Sequence, residues 1–234
     1  MILKLNKKFL SFSLVVLIIL LIGVNSSVIN YRDNSDFTNL KTSSYWNLSG
    51  NPILIDDSIS ISNWETINAT YDWCRGNGTV ENPYIIENIY LDAQNLGSGI
   101  EIRNSNAYFT IKNCTLLGSS LGSFPIFNAG IALKNTNNGL IISNDCSNNR
   151  GAGIDLYKSD DNIIIDNTVT FNEWEGIRIY ESDNNNLSEN TIEEHYYSQP
   201  GIYLFESLNT HIEANKIKNN NRGFEFFRSN FTTV

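Results

Sequence analysis

The sequence predicts an all-β solenoid of six to seven stacked coils, each built from three short strands. Three repeated features support this prediction. A Gly-apolar-x-apolar segment recurs, a hydroxyl residue stands six places after each opening glycine, and an asparagine stands fourteen places after each of the first five. The opening segments are Gly99–Ile102, Gly130–Leu133, Gly153–Leu156, Gly176–Ile179, Gly201–Leu204 and Gly223–Phe226.

The spacing of these segments fits three strands and three turns in each coil. Successive opening glycines are 31, 23, 23, 25 and 22 residues apart, and the longest interval contains an extra loop at residues 118–128. Apolar residues one and three places after each glycine predict a strand with one inward face. A helical solenoid is excluded because Gly, Asn and β-branched residues fill the segments and no 3.6-residue stripe appears.

The recurring asparagines predict a structural ladder inside the corners of the coils. Stacked coils place equivalent residues within ~4.8 Å of one another. Buried amide side chains at that spacing can hydrogen-bond one another and the backbone of the corner. The predicted members of this Asn ladder are Asn88, Asn113, Asn144, Asn167, Asn190 and Asn215.

The N-terminal region is predicted to direct export. Lys4, Lys7 and Lys8 precede the apolar run Phe9–Val24, and small polar residues follow it. Residues 1–26 are therefore a signal peptide or a signal anchor, and both alternatives stay open. We expect the body of the protein to be secreted or to lie at the cell surface, with membrane anchoring through residues 9–24 if the segment is not cleaved.

The remainder of the chain divides into three predicted parts. Residues 27–51 form a polar linker, and residues 52–82 form an aromatic-rich N-terminal cap with short strands at Pro52–Ile55 and Ile59–Ser62. The cap also contains Trp64, Tyr71 and Trp73. Residues 83–234 form the solenoid, whose final coil is incomplete. That open coil predicts either a fragment of a longer solenoid or self-association.

The net charge and the number of cysteines limit the partners and the disulfides that the chain can have. The formal net charge is -9, which would repel a phosphate backbone, so no nucleic acid partner is expected. The chain has three cysteines, so at least one of them is unpaired or pairs with another chain. Cys114 and Cys146 lie near corresponding positions of neighbouring coils, so they either form a disulfide or serve, like Cys74, as small buried hydrophobic residues.

Three segments resemble a known family. These are Asn-Pro-Tyr-Ile-Ile-Glu-Asn at 82–88, Tyr-Phe-Thr-Ile-Lys-Asn-Cys at 108–114, and the iterated Gly-Ile-x-Leu-x-x-Ser-x-x-Asn. Together they resemble the NosD-like right-handed parallel β-helix proteins of the pectin-lyase-like superfamily. The resemblance covers roughly residues 53–234. It implies a right-handed parallel β-helix and, for function, carbohydrate binding, sugar hydrolysis or a NosD-like periplasmic accessory role.

The residues that those activities require are largely missing. The sequence has two histidines, three cysteines and one methionine, so we predict no metal site and no cofactor. His195 and His211 are expected to be solvated surface residues. No Gly-His-Gly segment of a superfamily hydrolase occurs, and we predict no catalytic residue.

The outward side of the first strand offers a candidate binding face. Two places after each glycine the outward column reads Glu101, Ala132, Asp155, Arg178, Tyr203 and Glu225; four places after, it reads Arg103, Lys134, Tyr157, Tyr180, Phe205 and Phe227. Aromatic rings beside charged groups suit a saccharide chain. The candidate ligand-binding residues are Tyr157, Tyr180, Phe205, Phe227, Asp155, Arg178, Tyr203 and Glu225.

Three functions remain open from the sequence. The first is an exported binding or adhesive module with a polysaccharide or cell-surface glycan as partner. The second is a polysaccharide lyase or glycoside hydrolase using Asp155, Arg178 and Glu225. The third is the NosD-like accessory role. The rings could equally serve only to stabilise the sheet, with Asp155 and Arg178 as an ordinary cross-strand ion pair.

Overall fold

The computed structural model describes residues 41–42 and 45–233. The predicted signal segment and most of the predicted linker lie outside these residues. Among the described residues, four strands and one helix precede residue 83, where the predicted solenoid begins. Within the described residues, no helix is long and apolar enough to cross a membrane.

The described chain folds into stacked coils, which confirms the predicted parallel β-solenoid. The first sheet takes one strand from each coil, and neighbouring strands pair in parallel. Ile154, Ile177 and Ile202 are register partners across this sheet and are fully buried, so the apolar column faces inward as predicted. The strands are Ile53–Asp56, Ile100–Ser105, Ala129–Thr136, Ala152–Tyr157, Ile177–Tyr180, Pro200–Phe205 and Arg222–Phe227.

Two further sheets complete the three sides of the solenoid. The second sheet contains Cys74–Arg75, Tyr84–Glu87, Phe109–Lys112, Gly139–Ile142, Ile163–Ile165, Asn186–Ser188, Thr210–Glu213 and Phe231–Thr233. The third side contains Lys41–Thr42, Tyr45–Asn47, Ile89–Asp92 and Thr115–Leu117, then Thr168–Thr170, Thr191–Glu193 and Lys216–Lys218. Single bridges from Asp145 to Thr115 and Thr168 join the two groups on this third side.

Four asparagines form the predicted ladder at the corner after the second sheet. The side-chain amide of Asn144 donates to Asn167 at 3.0 Å, Asn167 donates to Asn190 at 2.9 Å, and Asn190 donates to Asn215 at 2.9 Å. The amide oxygens of Asn167, Asn190 and Asn215 also accept the backbone N–H of the asparagine one coil earlier. Polar groups that the corner would otherwise leave unpaired are thereby satisfied.

Asn88 and Asn113 do not belong to this ladder, which corrects the predicted membership. The coil that opens at Gly99 has one extra residue before its second strand, so Phe109 pairs with Gly139 although they lie ten and nine places after their glycines. Cys114 consequently stands where the ladder continues, and its N–H donates to Asn144 at 3.0 Å. Asn88 and Asn113 lie nearer the surface, one place earlier, with left-handed φ angles of 57° and 51°.

The other two corners carry similar hydrogen-bonded ladders. At the turn after the first sheet, each serine hydroxyl accepts the N–H of its counterpart one coil earlier, as from Ser159 to Ser182 at 2.9 Å and from Ser182 to Ser207 at 3.1 Å. At the corner after the third side, the ladder runs through Asn149, Asn172, His195 and Asn220. The hydroxyl column that the sequence shows is therefore a hydrogen-bonding element of the fold.

The N-terminal region differs in detail from the predicted linker and cap. Tyr45–Asn47 pairs with Ile89–Asp92, so the end of the predicted linker is a strand. Ile53–Asp56 pairs in parallel with Ile100–Ser105 and is itself a strand of the first sheet. Residues 59–62 form turns instead of the predicted strand, because their carbonyl and N–H groups bond locally, as from Ser62 to Ile59 at 3.0 Å.

A short helix, α1, covers the first coil. Helix α1 spans Trp64–Thr70, and the Asn63 side chain caps it by accepting from the N–H of Thr66. The Trp64 ring is buried and stacks on Tyr84 with ring centroids 4.7 Å apart. Its indole N–H donates to Ser105 at 3.0 Å. The aromatic residue that the sequence assigns to the cap therefore packs on the first coils from a helix.

Candidate functional site

The candidate residues lie in register on the outer face of the first sheet. Asp155, Arg178, Tyr203 and Glu225 occupy successive positions of one column, and the four aromatic residues occupy the neighbouring column. Ring centroids are 5.7 Å apart from Tyr157 to Tyr180, 4.4 Å from Tyr180 to Phe205, and 5.1 Å from Phe205 to Phe227. The structure therefore brings all eight candidate residues together on one face.

A loop covers the middle of this face, which the sequence does not predict. We call residues 118–128 the covering loop; its tip is a small hairpin of Gly122–Ser123 and Ile126–Phe127. Phe127 packs against Trp174 with centroids 4.8 Å apart, and Phe124 meets the ring of Tyr180 edge-on at 6.0 Å. As a result only 7% of Tyr180 is exposed.

The covered part of the face contains an ion pair. Arg178 Nη1 lies 2.7 Å from Asp155 Oδ1, and both side chains are essentially inaccessible to solvent. The guanidinium group lies over the rings of Tyr180 and Phe127 at 4.5 and 5.0 Å, and its Nη2 donates to the Pro125 carbonyl at 3.0 Å. Burial raises the pKa of Asp155, and the positive charge of Arg178 opposes that rise.

A second buried carboxylate, Glu175, interacts electrostatically with both members of this pair. Burial raises the pKa of Glu175 to about 7, while Arg178 opposes the rise and Asp155 adds to it. Within the described residues, Oε2 of Glu175 and Oδ2 of Asp155 are buried without a hydrogen-bond partner. Sequence reasoning missed Glu175 because it immediately precedes an opening glycine and shares no column with the candidate residues.

The face has an open stretch on each side of the covering loop. On the C-terminal side, Phe205 is half-buried and 47% of Phe227 is exposed, with the half-buried Tyr203 and Glu225 alongside. Arg228 lies over the Phe227 ring at 5.0 Å. This stretch offers ring edges and hydrogen-bonding groups to solvent, because the ring faces of Phe205 and Phe227 are stacked on their neighbours.

On the N-terminal side, the same columns bound a small cavity of about 270 Å³. Its lining residues are Arg103, Asn104, Ile126, Lys134, Asn135 and Tyr157. Lys134 Nζ lies 2.9 Å from Oε1 of the buried Glu101, and Arg103 pairs with the same oxygen. The cavity is therefore lined by an aromatic ring and two cations that share one carboxylate.

His195 is buried, which corrects its predicted place at the surface. It takes the position of an asparagine in the ladder after the third side, where its Nδ1 accepts the N–H of Asn172 at 3.3 Å. Only 7% of the residue is exposed, and burial lowers its pKa to about 4. His211 differs, because its ring is partly exposed and lies 3.2 Å from Glu213.

The cysteines are three free, buried thiols in the described structure. Burial raises the pKa of Cys74 and of Cys114 to about 12, and it also raises the pKa of Cys146. These thiols pack as small apolar side chains, which is the second of the two alternatives that the sequence leaves open. Within the described residues, no cluster of three or more His, Cys, Asp or Glu side chains could hold a metal ion.

Comparison with known proteins relates the chain to one family. The family model described as right handed beta helix region matches residues 27–199 and 98–234. No curated protein matches the chain. The family matches therefore extend from residue 27 to the last residue of the sequence.

The solved structures that match part of this chain include an alginate epimerase and a mannuronan C-5 epimerase. A mutant of the periplasmic alginate epimerase AlgG is 18% identical, with 63% of this chain and 44% of that chain covered and a TM-score of 0.48. The Azotobacter vinelandii mannuronan C-5 epimerase AlgE4 A-module is 14% identical, with 63% and 60% covered and a TM-score of 0.37. The chain spans about half the length of these structures.

Proposed function

Since the chain belongs to the right handed beta helix region family, we propose that it is an exported β-helix module that binds a saccharide chain. The binding surface in this proposal is the outer face of the first sheet. The proposal of export follows from Lys4, Lys7 and Lys8 before the apolar run Phe9–Val24. A position outside the cytoplasm would bring the face into contact with polysaccharides and cell-surface glycans.

The observation that carries the proposal is the stack of Phe205 and Phe227 beside polar groups. Their rings are nearly parallel, with an interplanar angle of 11°, and they retain solvent exposure. The exposed edges of such rings offer apolar contact to the C–H groups of a sugar, while neighbouring polar groups orient the hydroxyls. Tyr203 and Glu225 stand in the adjacent column at the same coils and supply those groups.

Packing within the sheet explains why an aromatic ring stands at Tyr180, but it explains the ring of Phe227 less well. Tyr180 is buried between its neighbours and the covering loop, and its packing stabilises the sheet. Phe227 gains less from packing, because nearly half of its surface faces solvent. An exposed aromatic ring continuous with a packed column favours a contact surface.

Replacing both Phe205 and Phe227 with alanine is expected to weaken saccharide binding strongly. Loss of both apolar contacts should weaken affinity at least about tenfold, since each 1.4 kcal/mol of binding free energy is a factor of ten. An array of neutral and acidic oligosaccharides, including cellohexaose and hexagalacturonate, measures the binding. Phe171, an exposed phenylalanine beyond the third side, is the matched control for replacement by alanine. Undiminished binding by the double variant, or no binding by the wild type, would refute the proposal.

Turnover of the bound saccharide is the second candidate function. Glu175 favours it, because a buried carboxylate with a pKa of about 7 beside Arg178 and Asp155 suits proton transfer. Analysis of the array ligands for cleaved, unsaturated or epimerised products distinguishes an enzyme from a binding module. Binding with unchanged ligand supports the module, and product formation supports the enzyme.

We also propose self-association through the final coil. Phe224 and Phe226 stand where earlier coils have the fully buried Ile202 and Leu204, yet each is more than a third exposed. Phe226 packs on Phe231 with centroids 4.2 Å apart, so the exposed rings form one apolar cluster. Such a cluster is a contact surface for another apolar surface. Light scattering over a range of protein concentrations would detect the association.

A further inference from the structure

The covering loop is attached to the solenoid by hydrogen bonds of its backbone at the base and mainly by side-chain contacts at the tip. At the base, the N–H of Ser119 donates to Asn149 at 3.0 Å, and the N–H of Ser120 donates to the Gly97 carbonyl at 2.9 Å. Gly151 permits close packing here, because a Cβ at that position would lie 1.7 Å from the Asn128 carbonyl oxygen. The base therefore moves with the solenoid.

The tip rests on the face mainly through side chains. Arg178 donates to the Pro125 carbonyl, and the Phe124 and Phe127 rings contact Tyr180 and the guanidinium group. The tip's backbone bonds are internal to its hairpin: Gly122 pairs with Phe127, and the N–H of Asn128 donates to the Leu121 carbonyl at 3.2 Å. Phe124 is 71% exposed whereas Phe127 is 7% exposed, so Phe127 supplies most of the packing of the tip on the face.

The contacts of the tip resemble those that a sugar ring would make. A carbonyl oxygen accepts from the guanidinium group, and apolar rings lie against Arg178 and Tyr180. The Pro125 carbonyl of the loop accepts a hydrogen bond from Arg178. Within the described residues, however, Oδ2 of Asp155 and Oε2 of Glu175 are buried and have no hydrogen-bond partner. A ligand that donates hydroxyl groups could pair with such carboxylate oxygens, which the loop does not satisfy.

We propose that the covering loop is an internal competitor that occupies the central saccharide subsite, and that a bound saccharide displaces it. The subsite consists of Asp155, Glu175, Arg178 and Tyr180. Displacement would join the two open stretches of the face into one groove from Lys134 to Phe227. This inference rests on the proposed saccharide-binding function. It adds a central subsite and the gating of that subsite by the covering loop.

Removal of the loop tip is expected to strengthen saccharide binding. The distance of 3.2 Å between Asn128 N and Leu121 O means that two glycines in place of Gly122–Phe127 can close the gap. We expect this shortened variant to bind hexagalacturonate or cellohexaose at least about tenfold more tightly, because the competing state is removed. Phe127→Ala keeps the loop length, loosens its packing on Trp174, and is expected to shift affinity in the same direction. Ser123→Ala, at an exposed position of the hairpin, is the control with wild-type affinity.

Hydrogen exchange of the wild-type protein tests displacement without a variant. Amides of residues 122–128 are expected to exchange faster when hexagalacturonate or cellohexaose is bound, because a hairpin that leaves the face loses the packing that supports its internal hydrogen bonds. Slower exchange there, or equal affinity of the shortened variant and the wild type, would overturn the gating while leaving the binding face intact. Absence of binding by both proteins would instead overturn the binding face, and the gating with it.

Discussion

Replacing Asn167 with alanine is expected to lower the free energy of unfolding by about 3 to 5 kcal/mol. The Asn167 oxygen accepts the backbone N–H and the side-chain amide of Asn144, and its own amide donates to the carbonyls of Ile141 and Ile165 and to Asn190. Alanine removes all of these bonds inside a buried corner. Each buried group left unpaired costs about 1 to 3 kcal/mol, and the corner is too tightly packed for water to substitute fully.

Asn113 is the matched control for this prediction. It shares the sequence position of the ladder asparagines, fourteen places after an opening glycine, but it lies at the surface one place before the ladder. Because its φ angle is 51°, glycine is the suitable replacement and avoids backbone strain. We expect Asn113→Gly to change the free energy of unfolding by less than about 1 kcal/mol. Urea denaturation measures both variants, and equal losses would contradict the assignment of the ladder.

Replacing His195 with asparagine is expected to remove a pH-dependent loss of stability. The pKa of His195 is about 4 in the folded protein and about 6.5 in an unfolded chain. Above pH 6.5 the ring is neutral in both states and contributes nothing to the pH dependence. Below it, the unfolded chain binds a proton that the folded protein excludes, so stability falls until the pH reaches about 4. The full loss is about 3 kcal/mol.

Asparagine suits this position because the neighbouring members of the ladder, Asn172 and Asn220, are asparagines. We therefore expect His195→Asn and the wild type to diverge by about 3 kcal/mol in unfolding free energy as the pH falls from 7 to 4. Urea denaturation at each pH measures this difference. His211→Asn, at a surface position beside Glu213, is the control and should keep the wild-type profile. Parallel pH profiles for His195→Asn and the wild type would show that burial of the imidazole has no energetic effect.

Repetition made the coil architecture predictable from one sequence. Inward apolar columns, hydroxyl turns and most of the asparagine ladder depend only on residue type at a fixed place in the repeat. Ile154 and its counterparts illustrate this, because the same side chain recurs wherever the core needs it. The register of Asn113 could not be read in this way, because a single extra residue in one turn shifts everything that follows within that coil.

The predicted register of the two outward columns is confirmed, but the sequence did not predict what covers them. The columns predicted which residues adjoin on the outer face, since neighbours in a stacked sheet are equivalent residues of the repeat. Burial of Asp155 and Arg178 depends on a loop that occurs in one coil alone, so no column contains the information. The conformation of the turns was also not predictable from residue type, because Lys158 and Glu181 adopt left-handed φ angles that lysine and glutamate do not favour.

Distances between spin labels along one column test the central claim, that equivalent residues of successive coils lie directly above one another. Ile85, Thr110 and His211 lie in one outward column of the second sheet, with Leu140, Ile163 and Asn186 between the last two. Labels at Thr110 and His211 are four coil steps apart, and labels at Ile85 and His211 are five. Double electron–electron resonance should give about 19 Å and about 24 Å, a difference of one coil rise. Distances beyond about 30 Å, or no increase from the first pair to the second, would contradict a stack with this rise.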